Sequence, residues 1–161
     1  MSYDLPLDQR SMVLDDHRNG FYRRALEQVI GPESVVMDLG LGILGFIAAS
    51  LGAKKVLMVE PKTNQEAARR IAAGNGLEHK VEFIASTAEQ LLSGVKVDVI
   101  TSVFTGNFLL EEDLLPSLFL ARDRFLKPSG SLIPDRAVMV VVPVSMSDFY
   151  DKHINRWADG S

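Results

Sequence analysis

The chain has 161 residues, 47% of them hydrophobic and 24% charged, which is enough apolar mass for one folded core and too much for a disordered polypeptide. Its net charge of −4 leaves no basic excess to neutralise phosphates, so a general nucleic-acid binder is excluded. The absence of cysteine excludes disulfide, thiolate-metal and cysteine-nucleophile chemistry, and no metal is expected. The acidic, polar start MSYDLPLDQR does not read as a secretory signal, and no apolar run reaches the ~18 residues of a membrane span. A soluble, cytoplasmic protein with no membrane partner is the expectation.

Taken in order, the chain alternates two kinds of pattern. Phe21, Tyr22, Ala25, Leu26, Val29 and Ile30 form the stripe of an amphipathic helix from Arg18 to Ile30, stopped by Gly31-Pro32. Val35, Val36, Met37 and Leu39 read as a buried strand ending at Gly40. A nearly all-apolar helix follows over Ile43 to Leu51, then a strand over Val56 to Val59 and a helix over Thr63 to Ala73. Val81 to Ala85 is a third strand, Thr87 to Leu92 a short helix or turn, and Val97 to Thr101 a fourth strand. A helix is predicted from Glu111 to Leu126, ended by Pro128-Ser129-Gly130, followed by extended runs over Ser131 to Pro134 and Ala137 to Val144. Strands that alternate with helices predict a doubly wound α/β fold of Rossmann-like type, with a mainly parallel sheet covered on both faces. The last run is apolar at nearly every position, so both its faces want cover. We therefore place a domain boundary at 136/137, with 137–161 the start of a missing or truncated second domain and a surface for self-association.

In such sheets ligands bind beyond the carboxyl ends of the strands, near the switch point. That directs attention to Asp38-Leu39-Gly40-Leu41-Gly42-Ile43-Leu44-Gly45. Glycines let the backbone approach a ligand closely, and the helix behind them offers free N–H groups. Glu60, at the tip of the second strand, can accept two hydrogen bonds from a ribose diol. The loop therefore reads as an adenosine-ligand site, against the plainer reading of helix–strand packing alone. Gly40, Gly42 and Gly45 also fit the G-x-G-x-x-G of NAD-dependent oxidoreductases, a remote alternative. Asp38 speaks against that alternative, because a carboxylate repels a pyrophosphate and attracts a cation such as S-adenosylmethionine.

From Met12 onward the chain resembles the protein arginine methyltransferases, particularly their bacterial relatives. Met12-Val13-Leu14-Asp15-Asp16-His17-Arg18 with Tyr22 is similar to the opening helix of that family. Val36-Met37-Asp38-Leu39-Gly40 with Gly52-Ala53-Lys54-Lys55-Val56 resembles its cofactor loop and second strand. Val97 to Ser102, followed by Gly106-Asn107-Phe108-Leu109-Leu110-Glu111-Glu112, resembles its substrate hairpin. Ala121 to Pro128, Gly130 and Ile133-Pro134 match the helix and strand after it.

The resemblance implies S-adenosyl-L-methionine as cofactor and a guanidinium nitrogen, on a protein or another guanidinium compound, as methyl acceptor. It implies that Arg18 binds the cofactor's carboxylate, that Asp38, Gly40 and Gly42 line its amino-acid end, and that Glu60 holds the ribose. Ala88 and Glu89 would meet the adenine, and Glu112 would grip the guanidinium as the catalytic acid group. Three departures stand against full activity. The glycine loop lacks one x-Gly pair relative to the D-x-G-x-G-x-G-I-L of the family. Val103 occupies the place of the first of two catalytic glutamates. The family's carboxyl-terminal β-barrel has no counterpart in the chain, and His153 lies beyond the matched stretch. For Glu111 and Asp113 the favoured reading is acids in the first turn of a helix, complementing its dipole. A non-catalytic binding or partner module is the standing alternative.

Overall fold

A computed structural model of the chain describes residues 13–40, 42–60, 65–92, 94–104, 109–110 and 113–155. In chain order the elements are α1 (Asp16–Glu27), β1 (Val35–Leu39), α2 (Ile43–Ser50), β2 (Lys55–Val59) and α3 (Gln65–Gly74). They continue with β3 (Val81–Ile84), β4 (Val97–Ser102), α4 (Leu115–Phe125), β5 (Leu126–Ile133) and α5 (Ser147–His153). The five strands form one sheet in the order β3-β2-β1-β4-β5, and every pairing is parallel. The doubly wound, mainly parallel sheet expected from the alternation is thus the fold.

Strand period two sends alternate residues of β1 and β2 to opposite faces. Val36, Val56 and Met58 join Leu26 of α1, Phe46, Ala48 and Ala49 of α2, and Ala68 and Ala72 of α3 in one core. Met37, Leu39, Leu57 and Val59 join Leu118, Ala121 and Phe125 of α4 in the other. The helices before and between β1–β3 cover one face, and α4 covers the second. Leu26 is fully buried, so its truncation to Ala would cost roughly 2–5 kcal/mol. The chain reverses direction across the sheet between β1 and β4, which puts the switch point at their carboxyl ends.

Three expectations need correction. α4 begins at Leu115, with Pro116 in its first turn, where the fixed φ of proline suits a helix start. Asp113 precedes the helix with φ +50, so it is not an acid of the first turn. β5 starts at Leu126, directly after α4, rather than after Gly130. Leu126 faces Val97 and Ser131 faces Val99, so Pro128-Ser129-Gly130 forms a bulge within the strand instead of a stop. Finally, Ala137–Val144 takes no helix or strand, and Val138, Val141 and Val144 are 79%, 87% and 70% exposed. An extended run becomes a strand only when a neighbour completes its hydrogen bonds, and the described part of the chain brings none to it. No described helix is long and apolar enough to cross a membrane.

Candidate functional site

The site is built where β1, β2 and β4 end. Asp38 precedes the last residue of β1 and is 2% exposed. Its Oδ2 accepts the Gly45 N–H at 2.9 Å. Gly42 is the N-cap of α2 and has no side chain with which to accept a free N–H of the first turn. Asp38 does this from the neighbouring strand, and so fixes the start of α2 against β1. Burial pushes the Asp38 carboxyl well above its usual range; the Gly45 N–H pulls it back, and the Glu60 charge pushes it further up.

Gly45 permits this contact. A Cβ there would lie 2.5 Å from Met58 Cε and 2.8 Å from Asp38 Oδ2, so helix and strand can approach only over a bare Cα. Gly40 serves the loop differently. Its φ of +133 turns the chain out of β1, while its N–H donates to the Val59 carbonyl at 2.9 Å. The same position brings it to Glu60, whose Oε2 would be 3.9 Å from a Cβ on Gly40. The Glu60 N–H donates to the Ile84 carbonyl at 3.1 Å, holding the acid at the end of β2.

The structure therefore brings Asp38, Gly40, Gly42 and Glu60 together. Arg18 stands on α1, half-buried, with its own N–H donated to the Asp15 N-cap at 2.9 Å and Nη2 to Asn19 Oδ1 at 3.4 Å. One turn on, the Tyr22 hydroxyl donates to the Ser102 carbonyl at 3.1 Å. This contact lays α1 across the end of β4, and the spacing of four puts Arg18 on the same helix face as Tyr22. In the sequence Tyr22 is an apolar position and a motif residue; its role as the tether of α1 comes from the fold. Thr101, the register partner of Asp38, and Ser102, the partner of Leu39, are fully buried. Their hydroxyls have no hydrogen-bond partner among the described residues.

Ala88 and Glu89 occupy the turn after β3. Ala88 is buried, and the Glu89 carboxylate accepts the Ser117 hydroxyl of α4. Hydrogen bonds from Ser117 and then Thr87 hold Glu89 below its usual range, so it stays charged. Glu112, like Glu111, lies outside the described residues. Val103 is half-buried just beyond β4. A groove of about 700 Å³ runs between α1 and the end of β5, lined by Tyr22, Ala25, Ile133 and Pro134 among others, and includes neither Asp38 nor Glu60.

The comparisons with known proteins agree with this architecture. A rice protein (Oryza sativa subsp. indica) described as a probable protein arginine N-methyltransferase 6.1 is 37% identical over 153 residues, 92% of this chain. Protein arginine N-methyltransferase 2 of Dictyostelium discoideum is 34% identical over 152 residues. The chain belongs to the protein arginine N-methyltransferase family. It spans 40% of the rice methyltransferase and 30% of the slime-mould one, less than half of either. The Trypanosoma brucei PRMT1 enzyme-prozyme heterotetrameric complex with AdoHcy superposes with a TM-score of 0.84 and 34% identity. The match covers 92% of this chain and 48% of that one. PRMT6 with SAH gives 0.75 and 30%, covering 94% and 52%. No family model matches the chain.

Proposed function

We propose that the chain carries the cofactor-binding part of an S-adenosylmethionine-dependent arginine methyltransferase. The observation that carries the reading is the acidic, bare-backbone end of the sheet, where a Cβ on Gly40 would lie 3.9 Å from Glu60 Oε2 and Asp38 is buried in the same strand end. Its chemistry fits the cofactor. The absent side chain at Gly40 leaves room beside a carboxylate for a ribose diol, and two acids favour a cation over a pyrophosphate. Relatives whose structures hold AdoHcy and SAH support the same ligand here.

In this reading Glu60 accepts the ribose hydroxyls, Gly40 and Gly42 offer backbone to the amino-acid end, and Arg18 pairs with its carboxylate. Asp38 acts from beneath, by holding the helix start that the loop leads into. Ala88 and Glu89 form the edge against the adenine. When bound, the cofactor supplies a methyl group on a positively charged sulfur. Glu112 holds the guanidinium of a protein or other guanidinium-bearing acceptor, placing one nitrogen in line and drawing positive charge away from it. A dry pocket favours the transfer, because the sulfonium charge is lost in the step.

Titration calorimetry tests the reading. S-adenosylhomocysteine should bind in the micromolar range and NAD should not, with Glu60→Ala weakening binding about tenfold or more. Binding of neither by a folded chain overturns the proposal, and binding of NAD alone favours an oxidoreductase.

Val103 favours a second reading. At the place of the family's first glutamate, an isopropyl group leaves the guanidinium one charge-assisted partner short, a loss of roughly 1.5–3 kcal/mol. A chain of this kind serves as a non-catalytic binding or partner module. In a chain that carries the barrel, Val103→Glu with an x-Gly pair restored after Gly42 should raise cofactor affinity or methyl transfer, and a double change that raises neither overturns this account of the defect. We also read 1–136 as the cofactor-binding unit and 137–161 as the start of a second. The exposed run Ala137–Val144 supports self-association through this segment. Light scattering at high concentration should show a dimer or larger species, and a strict monomer refutes it.

A further inference from the structure

The turn after β3 is held from outside its own sequence. Within it, the Thr87 carbonyl accepts the Leu91 N–H at 3.0 Å, and Thr87 Oγ1 accepts the Gln90 N–H at 3.2 Å. Three further carbonyls of the turn go to a single side chain. Arg124 Nη1 donates to the carbonyls of Ala88 at 3.3 Å and Glu89 at 3.0 Å, and Nη2 donates to that of Leu91 at 2.8 Å. Seven residues earlier, two turns back on the same face of α4, Ser117 donates to the Glu89 carboxylate. The helix thus grips the turn at its head and its tail.

The grip is specific to a guanidinium. Its donors lie in one rigid plane and can serve three carbonyls in a single arrangement, whereas an ammonium is a point charge on a flexible stem. The Arg124 guanidinium also lies 5.0 Å from the ring centroid of the fully buried Phe125, which restricts it further. α4 is the element that follows the end of β4, so one helix ties the turn after β3 to the opposite side of the switch point.

We propose that Arg124 and Ser117 are positioning residues, which fix the 88–91 turn from behind so that its outer edge meets the base of a bound nucleoside at a set distance and angle. Neither touches the ligand. The inference rests on the nucleoside reading of the site. Its consequence is that the clamp governs discrimination between bases more than binding of the rest of the ligand, because an edge selects by hydrogen bonds whose geometry must be held.

The full chain is tested as Arg124→Met, which keeps an apolar stem and removes every donor, with Arg124→Lys and Ser117→Ala. Arg70→Met, which breaks an exposed pair with Glu66 on α3, is the control. Hydrogen exchange at the Gln90 and Leu91 amides should quicken about tenfold in Arg124→Met and stay at the parent rate in Arg70→Met. Parent rates in Arg124→Met overturn the clamp, whether or not any ligand binds. Calorimetry then compares S-adenosylhomocysteine with its inosine analogue, which carries a carbonyl in place of the adenine amine. The parent should prefer the adenosine compound; Arg124→Met should shrink that preference about tenfold, with Arg124→Lys intermediate. An unchanged preference alongside intact binding overturns the positioning role. If Arg124→Met does not fold, Arg124→Lys and Ser117→Ala decide, and an unchanged preference in both overturns it. A folded parent that binds neither compound refutes the nucleoside reading, while the exchange rates still judge the clamp.

Discussion

Asp38, near the carboxyl end of β1, and Asp98, near the amino end of β4, sit in adjacent strands of one sheet and accept one backbone N–H each. At the amino end, Asp98 Oδ2 takes the Val35 N–H at 2.9 Å, and Oδ1 takes Lys127 Nζ at 2.6 Å. The Lys127 hydrogen bond first, and the Val35 N–H second, hold its carboxyl below the usual range. At the carboxyl end, Asp38 is buried and faces a second acid, and its carboxyl is driven up. One aspartate is matched by its own chain and closes a seam. The other is buried beside a second acid, at the end of the sheet where α2 begins.

Four changes would break or sharpen the contrast. Gly45→Ala should have the largest effect, since a Cβ at 2.8 Å from Asp38 Oδ2 must push α2 off β1. A loss of about 1–3 kcal/mol in chemical denaturation, with loss of nucleoside binding, is expected. Asp98→Asn should cost about 1 kcal/mol at neutral pH, discounted for its part exposure, and Tm is the readout.

The two acids should then separate by pH. The Asp98 carboxyl lies below its ordinary 3.8 in the folded chain, so its contribution is present above that value and is lost as pH falls through the folded value. Asp38 lies above 3.8, so the folded chain holds its proton more tightly, and stability is lost as pH rises through the folded value. The stability of the parent relative to Asp38→Asn should therefore fall with rising pH, while relative to Asp98→Asn it should fall with falling pH. Equal slopes of one sign would refute the comparison. The smallest effect is expected at Lys54→Met, whose exposed pair with Glu33 should leave Tm within error.

Much of this was legible in the residues. Near-continuous apolar runs mark β1 to β4 and the second half of β5, and helical stripes mark the principal helices, because a parallel sheet covered on both faces is apolar on both; the similar run Ala137–Val144 forms no strand. The meeting of Gly40 and Glu60 is legible for a local reason: each directly follows one of two paired strands. What failed was punctuation. Pro128-Ser129-Gly130 looks like a stop, yet the pairing of Leu126 with Val97 carries the strand past it as a bulge. Glu111 looked like a helix start, but Pro116 sets the first turn of α4 later. Arg124 stands in the sequence only as one residue of the matched run Ala121 to Pro128, and its grip is not legible there because the carbonyls it holds lie 33–36 residues away.

The sequence by itself determined the element order, the parallel sheet and the glycine-rich turn out of β1, because periodicity and glycine placement are properties of neighbouring residues. The tertiary structure alone decided that Asp38 caps α2, that Tyr22 tethers α1 to the end of β4, and that α4 clamps the turn after β3. Each of these is a hydrogen bond between segments whose meeting depends on sheet order. Sheet order follows from packing every apolar face at once, which no local pattern encodes.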